Sequence, residues 1–313
     1  MASFQAPQVL ILRYHSVLND PAEHADSIGA GIIHSSAEFA KQMEYLSRTC
    51  NPITMDQVRE FVRGACSLPR RSVAVTFDDG FADNLSVALP FMNRFGVPGA
   101  IYVMTDYASR IPWYCTLRYI FAKTQHSSFI DPFDGTLRSL DNPDDRRESW
   151  LACSRACATK SLDEIDAAIA SLERALETEY RPQEPIILSW DGVREVLRQG
   201  HTIGSHGRSH PNMAYVPAED LATQMRDSKA ILERETGSRI RHFSYPSPIM
   251  EPHWTQHTVE VCGSAGYDTA VTCTYGSVRP GDALLSMKRV YTPPESSEFI
   301  WALEKMFAGR SAQ

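Results

Sequence analysis

The sequence predicts an α/β protein in which parallel strands alternate with helices. Short apolar segments alternate with segments of helical periodicity along most of the 313 residues. This β-α-β-α order implies a parallel sheet covered by helices, and its repetition favours an α/β barrel over an open sheet. The hydrophobic share of 43% and the charged share of 22% are typical of a soluble globular protein.

Capping residues and apolar spacing define the elements of the first third of the chain. Ser35 or Ser36 is a candidate N-cap of the first helix, and Gly64 and Gly96 follow the second and third helices. The predicted strands are 8–15, 72–77 and 99–105, and the predicted helices are 35–49, 54–64 and 82–95.

The segment 107–185 interrupts this rhythm, and we expect it to be a helical insertion. Its part 141–149 is polar and rich in turn residues, whereas 161–180 is strongly helical. Cys153 and Cys157 lie four apart in a helical stretch, where two small residues on one face are favoured over a metal-binding pair. The helix 161–180 carries one apolar stripe, for which packing is favoured over a partner site: Leu162, Ile165, Ile169, Leu172 and Leu176.

The strand–helix rhythm resumes near residue 186. Ser189 is the predicted N-cap of a helix that Gly200 terminates, and Gly237 terminates a longer helix over 217–236. Further strands are predicted at 201–206, 240–245, 268–273 and 284–291.

Charge and cysteine usage exclude several classes of protein. A formal net charge of −7 argues against a general binder of nucleic acid or anionic membranes. The seven cysteines form no CxxC pair, which is typical of reduced thiols rather than a disulfide framework. The first residues lack a secretory signal, and no apolar run of about 18 residues exists to span a membrane. We therefore expect a cytoplasmic location, while prior removal of a signal stays open.

Two short motifs point to a metal centre. In "SVAVTFDDGF" a predicted strand ends in the adjacent carboxylates of Asp78 and Asp79, whose repulsion a cation would relieve. In "SHGRSH" His206 and His210 lie four apart just after another strand, a spacing that lets both imidazoles reach one ion. Two histidines and one carboxylate form a common facial ligand set. The remaining aspartate is then free to act as a base.

These residues resemble the polysaccharide deacetylases of carbohydrate esterase family 4, also called the NodB-homology domain. "TFDDG" (76–80) and "SHGRSH" (205–210) match the family's first two motifs, and "HFSYPSP" (242–248) is similar to its third. "LRYHSV" (12–17) and "LSWDGVREVLRQGHTIGSH" resemble a subgroup similar to biofilm and capsule glycan deacetylases. The resemblance covers about residues 8–293, with 107–185 the least typical part.

The resemblance implies a distorted (β/α) barrel of seven strands, with residues 1–313 forming a single catalytic domain that contains the insertion. It implies hydrolysis of N-acetyl groups on an amino sugar, in which Asp79, His206 and His210 bind one divalent metal ion. Zinc is the first choice, and such ligand sets also accept cobalt, nickel or iron. Asp78 would be the general base.

In the family, a backbone N–H after the third-motif proline stabilises the oxyanion. Here that group is the N–H of Ser247, in the segment Tyr245-Pro246-Ser247. We therefore expect these three residues to lie at the substrate.

The sequence departs from the family pattern at two positions. Ser244 stands where many members carry an arginine that pairs with the catalytic aspartate, and Arg289 is a candidate replacement, although a surface arginine is an equal alternative. Met287 lies where a late histidine would supply the general acid. His15, at the end of the first strand, is our candidate for that acid, and a structural histidine is the alternative.

Several aromatic residues on predicted loops are candidates for stacking on a sugar, with packing an equal alternative for each: Trp113, Tyr114, His242, His253, Trp254 and His257. The expected substrate is an N-acetylated sugar, oligosaccharide or lipid-linked glycan. Two alternatives stay open, namely a deformylase or cyclic-amide hydrolase on the same fold, and a glycan-binding protein that has lost catalysis.

Overall fold

The computed structural model describes residues 7–309, and strands are distributed along most of that range. They are β1 (Val9–Tyr14), β2 (Ser16–Leu18), β3 (Ile33–Ser35), β4 (Asn51–Pro52), β5 (Ser72–Phe77), β6 (Gly99–Val103), β7 (Ser128–Ile130), β8 (Leu137–Ser139), β9 (Thr202–Ser205), β10 (His242–Ser244), β11 (Thr269–Tyr275) and β12 (Met287–Tyr291).

Helices follow most of the strands. They are α1 (Ser36–Thr49), α2 (Met55–Val62), α3 (Leu89–Phe95), α4 (Trp113–Lys123), α5 (Pro143–Cys157), α6 (Leu162–Ala175), α7 (Trp190–Arg198), α8 (Ala218–Thr236), α9 (Gln256–Ser264) and α10 (Ser296–Phe307). Short helical turns lie at Pro21–His24, Ala25–Gly29, Ala30–Ile32, Asn84–Ala88 and Thr105–Tyr107.

Seven of these strands close into a parallel barrel. Their order is β1-β5-β6-β9-β10-β11-β12, and β12 pairs again with β1, where Leu12 lies opposite Val290. The short strand β4 adds to the beginning of β5. The prediction of a seven-stranded α/β barrel is confirmed. Because the seven barrel strands are parallel, their carboxyl ends meet at one end of the barrel, where active sites of such folds are built.

Alternate residues of the strands face the barrel interior, where small side chains make room for large ones. Tyr102 and Val271 are fully buried there, together with residues of α2, which covers the amino ends of the strands. Gly204 leaves space for the Tyr102 ring, since a Cβ at this position would lie 2.5 Å from Tyr102 Cδ1. The outward faces of the strands pack against the surrounding helices in a second cluster.

The segment 107–185 contains the helices α4, α5 and α6. Ile165, Leu172 and Leu176 of the predicted stripe are buried in a cluster of the insertion, which confirms the packing interpretation. The antiparallel hairpin β7–β8 within the segment was not predicted. The insertion's cluster also includes Met104, just after β6, so its core is continuous with the barrel end.

Proline accounts for one departure from the predicted helices. The predicted helix 82–95 is divided into the wide turn Asn84–Ala88 and α3. Pro90 lies in the first turn of α3, where it cannot donate a helical hydrogen bond to the turn before it. Within residues 7–309, no helix is long and apolar enough to cross a membrane.

Candidate active site

Three side chains from the two predicted motifs converge at the carboxyl end of the barrel. Asp79 Oδ1 lies 3.4 Å from His206 Nε2 and 3.4 Å from His210 Nε2. All three residues are buried. The sequence-predicted ligand set is therefore brought together in space.

The set fits a divalent metal ion. Asp79 Oδ1 is buried and has no hydrogen-bond partner within the described chain, a costly situation that a bound cation would relieve. A hydrogen-bond partner fixes the orientation of the His206 ring. Its Nδ1 lies 2.7 Å from the carbonyl oxygen of Ser244, which leaves Nε2 facing Asp79. Two imidazoles and one carboxylate suit zinc and several other transition metals.

The turn that carries the aspartates has an unusual backbone. Asp79 (φ +71°) and Gly80 (φ +70°) are both in the left-handed region. Aspartate tolerates this conformation better than most residues, and glycine adopts it without strain. A Cβ on Gly80 would also lie 3.3 Å from Val103 Cγ2, so β6 leaves little room there. The turn thus points the Asp78 and Asp79 side chains in different directions.

Asp78 makes a buried, bidentate ion pair with Arg289. Asp78 Oδ1 accepts from Arg289 Nη1 at 2.8 Å, and Oδ2 accepts from Arg289 Nη2 at 2.7 Å. Ser244 Oγ donates a further hydrogen bond to Asp78 Oδ1 at 2.9 Å. Burial by itself raises the pKa of Asp78, but the Arg289 guanidinium outweighs it and holds the pKa well below its usual range. Asp78 is therefore ionised at neutral pH.

Arg289 pairs with Asp78, as we expect of a replacement for the third-motif arginine. It projects from β12 into the barrel, where it is one of the largest fully buried side chains. Its Nε donates to the carbonyl oxygen of Thr272 at 2.9 Å, and Nη2 lies 3.1 Å from Ser244 Oγ. The alternative of a surface arginine is wrong. The small Ser244 side chain on β10 leaves space for a guanidinium that arrives from β12, two strands away in the barrel order.

His15 lies beside Asp78, with Nε2 4.0 Å from Asp78 Oδ2. Burial lowers the pKa of His15 to about 4, against the opposing field of Asp79 and Asp78. His15 is therefore neutral at pH 7, and it must gain a proton before it can donate one.

The loop that carries His15 is held by two residues that follow the DDG turn. Asp83 accepts from Ser16 Oγ and from the Val17 N–H, both at 2.8 Å. Asn84 Nδ2 donates to the carbonyl oxygen of His15 at 2.7 Å. The first strand and the aspartate turn are thus joined as one unit.

The three predicted residues of the third motif occupy different environments. Tyr245 packs in the core outside the barrel and its hydroxyl donates to the carbonyl oxygen of Leu285 at 2.9 Å, which corrects the expectation of a substrate contact by this side chain. Pro246 is buried. Ser247 is partly exposed, and its N–H makes no hydrogen bond to the chain over residues 7–309, so this donor is available to a ligand.

Among the aromatic candidates, only Tyr114 contacts the ligand set. Its ring centroid lies 4.9 Å from that of His210. Trp113 is buried in the insertion, and Trp254 stacks on Tyr245, so both have packing roles. His242 is buried beside Asp56 of α2, at the opposite end of the barrel.

The remaining candidates are two histidines and two cysteines. His253 lies beside Cys273, and His257 is exposed on α9. Cys153 and Cys157 are buried in the insertion's core, in agreement with the packing interpretation.

The sequence from residue 66 to 270 matches the family model described as "Polysaccharide deacetylase". This chain belongs to the polysaccharide deacetylase family. No curated protein matches it in sequence.

Solved structures show the same fold at low sequence identity. The deacetylase PplD of Streptococcus pyogenes, solved with acetate, is 16% identical with a TM-score of 0.64, over 96% of this chain and 99% of PplD. IcaB of Ammonifex degensii is 20% identical with a TM-score of 0.62, over 96% of this chain and 98% of IcaB. A de-N-acetylase from Aggregatibacter actinomycetemcomitans is 15% identical with a TM-score of 0.60, over 95% of this chain and 99% of its own.

Several residues of the site were not identified from sequence. Thr76 accepts from Arg289 Nη1 at 3.3 Å, and Asp83 and Asn84 hold the His15 loop. Thr76 precedes Asp78 by two residues, so the strand period places both on the same face, a signal that was available. The contacts of Asp83 and Asn84 join residues 66 to 69 positions apart and carry no local signal.

Proposed function

We propose that this deacetylase-family protein is a metal-dependent hydrolase that removes N-acetyl groups from an amino-sugar-containing glycan or glycan precursor. One observation carries the proposal: a buried Asp-His-His ligand set lies beside a second aspartate that is ionised and held by an arginine. A glycan-binding protein has no need of this pair. The acetate in the PplD structure is the acid product expected of such a reaction.

Asp79, His206 and His210 would hold one divalent ion, zinc being our first choice. When bound, the ion supplies Lewis acidity that polarises the acetyl carbonyl and makes a water molecule at the site more acidic. Asp78 then accepts the proton of the attacking water at Oδ2, while Arg289 and Ser244 fix the orientation of its carboxylate. The Ser247 N–H donates to the carbonyl oxygen as negative charge develops there.

The leaving amine needs a proton, and we propose that His15 Nε2 donates it. Because the pKa of Asp78 is held low, a proton taken up by this carboxylate is readily passed on. His15, with its Nε2 4.0 Å away, is the neighbouring acceptor. In this scheme one water is consumed and one of its protons reaches the amine through Asp78 and His15. The acetic acid formed departs as acetate after it releases its proton to solvent.

Acetate release from N-acetylglucosamine oligosaccharides tests the proposal. We expect turnover that is lost after chelation and restored by Zn²⁺, and that falls about 10²–10⁴-fold in both Asp78→Asn and His15→Ala, as is usual for loss of an acid–base group. His257→Ala is a matched control, since His257 is exposed on α9. Formate release, or ring opening of a cyclic amide, in place of acetate release would contradict the N-acetyl specificity. Full activity of Asp78→Asn would contradict the mechanism.

The cytoplasmic location and the form of the glycan, whether free, oligomeric or lipid-linked, stay predictions.

A further inference from the structure

A second group of metal-ligand side chains lies near the rim of the same barrel end. Glu251 and His253 belong to the loop between β10 and α9, and Cys273 lies on β11. Cys273 Sγ is 3.1 Å from His253 Nδ1, and Glu251 Oε1 is 3.2 Å from the same nitrogen. The thiol sulfur, the imidazole nitrogen and the carboxylate oxygen all lie within 4.8 Å of one another.

Hydrogen bonding alone does not account for this arrangement. A ring nitrogen of a neutral imidazole has either one hydrogen or one lone pair, so it makes one good hydrogen bond. Here both a thiol and a carboxylate face His253 Nδ1. A cation placed between the three atoms would satisfy all of them at once.

The loop that contributes two of these groups is fastened by other contacts. Asn212 Nδ2 donates to the carbonyl oxygen of Met250, and Tyr215 Oη donates to the carbonyl oxygen of Glu251, both at 2.6 Å. Trp254 stacks on Tyr245 beneath the loop. The position of the donor atoms is therefore supported by the surrounding structure, as a binding site requires.

We propose that Cys273, His253 and Glu251 bind a second divalent ion of the zinc type. A thiolate, an imidazole and a carboxylate together favour zinc over magnesium or calcium, which prefer oxygen ligands. This set shares no residue with Asp79, His206 and His210. The ion would tie the loop that begins after β10, and with it the Ser247 N–H, to β11. Glu251 is exposed, so exchange with solvent is possible at this position.

A cation at this position also meets positive charge. The side chains of Arg13 and Arg289 are close enough to Cys273 for their charges to interact. The carboxylate of Glu251, together with the thiolate form in which a cysteine binds metal, would offset that charge.

Cobalt titration of metal-free protein tests the proposal, because thiolate-bound Co²⁺ has a ligand-to-metal charge-transfer band in the near ultraviolet. The Asp79 set contains no sulfur and cannot produce this band. We expect wild-type protein to take up a second equivalent of Co²⁺ with the band present. Cys273→Ser and His253→Ala should each lose the band and that equivalent. His210→Ala should keep the band while losing the other equivalent, so failure of the proposed catalytic site is distinguished from failure of this one.

Cys66→Ser is the matched control, since Cys66 is the exposed cysteine among those described. It should retain the band. Absence of the band in wild-type protein, its persistence in Cys273→Ser, or its loss in Cys66→Ser would overturn the proposal. If Cys273→Ser does not fold by circular dichroism, alkylation of the wild-type protein replaces it: Zn²⁺ should protect Cys273 and not Cys66, and equal labelling of Cys273 with and without Zn²⁺ would overturn the site.

Discussion

Asp78 shows how a single buried ion pair sets the protonation state of the proposed general base. Asp78 is 2% exposed, and the positive charge of Arg289 compensates its carboxylate through hydrogen bonds to both oxygens. Burying two charges is costly, so such a pair is weak evidence of stabilisation by itself. Removing one partner, however, leaves a buried charge uncompensated.

Arg289→Met should therefore lower the free energy of unfolding by about 3–5 kcal/mol at pH 7. Urea denaturation measures it. The double variant Arg289→Met/Asp78→Asn should recover part of the loss, because it removes the unpaired charge. Arg198→Met is the control, since Arg198 makes an exposed ion pair with Glu195, and we expect little change. Equal loss in the single and double variants would show that packing, not charge, is responsible.

The raised pKa of Asp83 predicts that the free energy of unfolding depends on pH. Burial raises its pKa to about 7, against the opposing effect of hydrogen bonds from Val17, Ser16 and Asn84. A carboxyl with a raised folded-state pKa contributes stability that is present below its unfolded pKa and lost as the pH rises through about 7.

Between about pH 4 and pH 8, wild-type protein should thus lose stability relative to Asp83→Asn, on the order of 4 kcal/mol over the whole range. Denaturation of both proteins across this range measures the difference. Asp163→Asn, at an exposed carboxylate, should run parallel to wild type. Parallel curves for wild type and Asp83→Asn would contradict the assignment.

At the scale of elements, β6 and β9 fit together because a large side chain on β6 faces a glycine, which has no side chain, on β9. The Tyr102 ring of β6 occupies the space that a Cβ on Gly204 of β9 would need. That Cβ would also lie 2.9 Å from the carbonyl oxygen of His242 at the start of β10. The backbone cannot withdraw without disturbing the ladder between β9 and β10, where Phe243 pairs with Ser205.

Gly204→Ala should consequently destabilise the protein by about 1–3 kcal/mol through overpacking, although alanine is normally better tolerated in strands. Gly31→Ala is the control, because nothing lies within 4 Å of its Cβ position. Thermal unfolding of both variants tests this. Equal melting temperatures would mean that Tyr102 moves aside without cost.

At the scale of the whole molecule, we propose that residues 1–313 form one domain in which 107–185 is an integral insertion. The insertion's apolar cluster includes Met104 after β6, Phe81 after the DDG turn, and Ile28 and Ile33 from the segment after β2. Tyr114 of the insertion lies against His210. Separation of the two parts would expose apolar surface on both.

Unfolding should accordingly be cooperative, with a single transition for insertion and barrel. Hydrogen exchange at increasing denaturant, read by mass spectrometry, can follow peptides of α6 and of β5 in the same sample. We expect both to lose protection at the same denaturant concentration. Earlier loss of protection across α4, α5 and α6 would show that the insertion is an independent unit.

The sequence by itself determined the order of the seven barrel strands and of many of the helices between them, because apolar periodicity and caps act within a few residues. Strand β5 has the predicted bounds, and α7 begins after the predicted cap Ser189. The sequence also indicated that Asp79, His206 and His210 form a set of metal ligands, since parallel strands bring their carboxyl ends together. The resemblance to the deacetylases added the seven-strand closure.

Only the tertiary structure decided which distant residues meet. The pairing of Arg289 with Asp78 joins positions 211 apart, and the contact of Cys273 with His253 joins two strand-end segments. The third motif predicts that Tyr245 contacts the substrate. In the structure, the alternation of side chains along the strand directs Tyr245 into the core outside the barrel. Such contacts depend on barrel closure and on the face each residue occupies. Local sequence patterns do not record either, because both are set by packing between elements far apart in the chain.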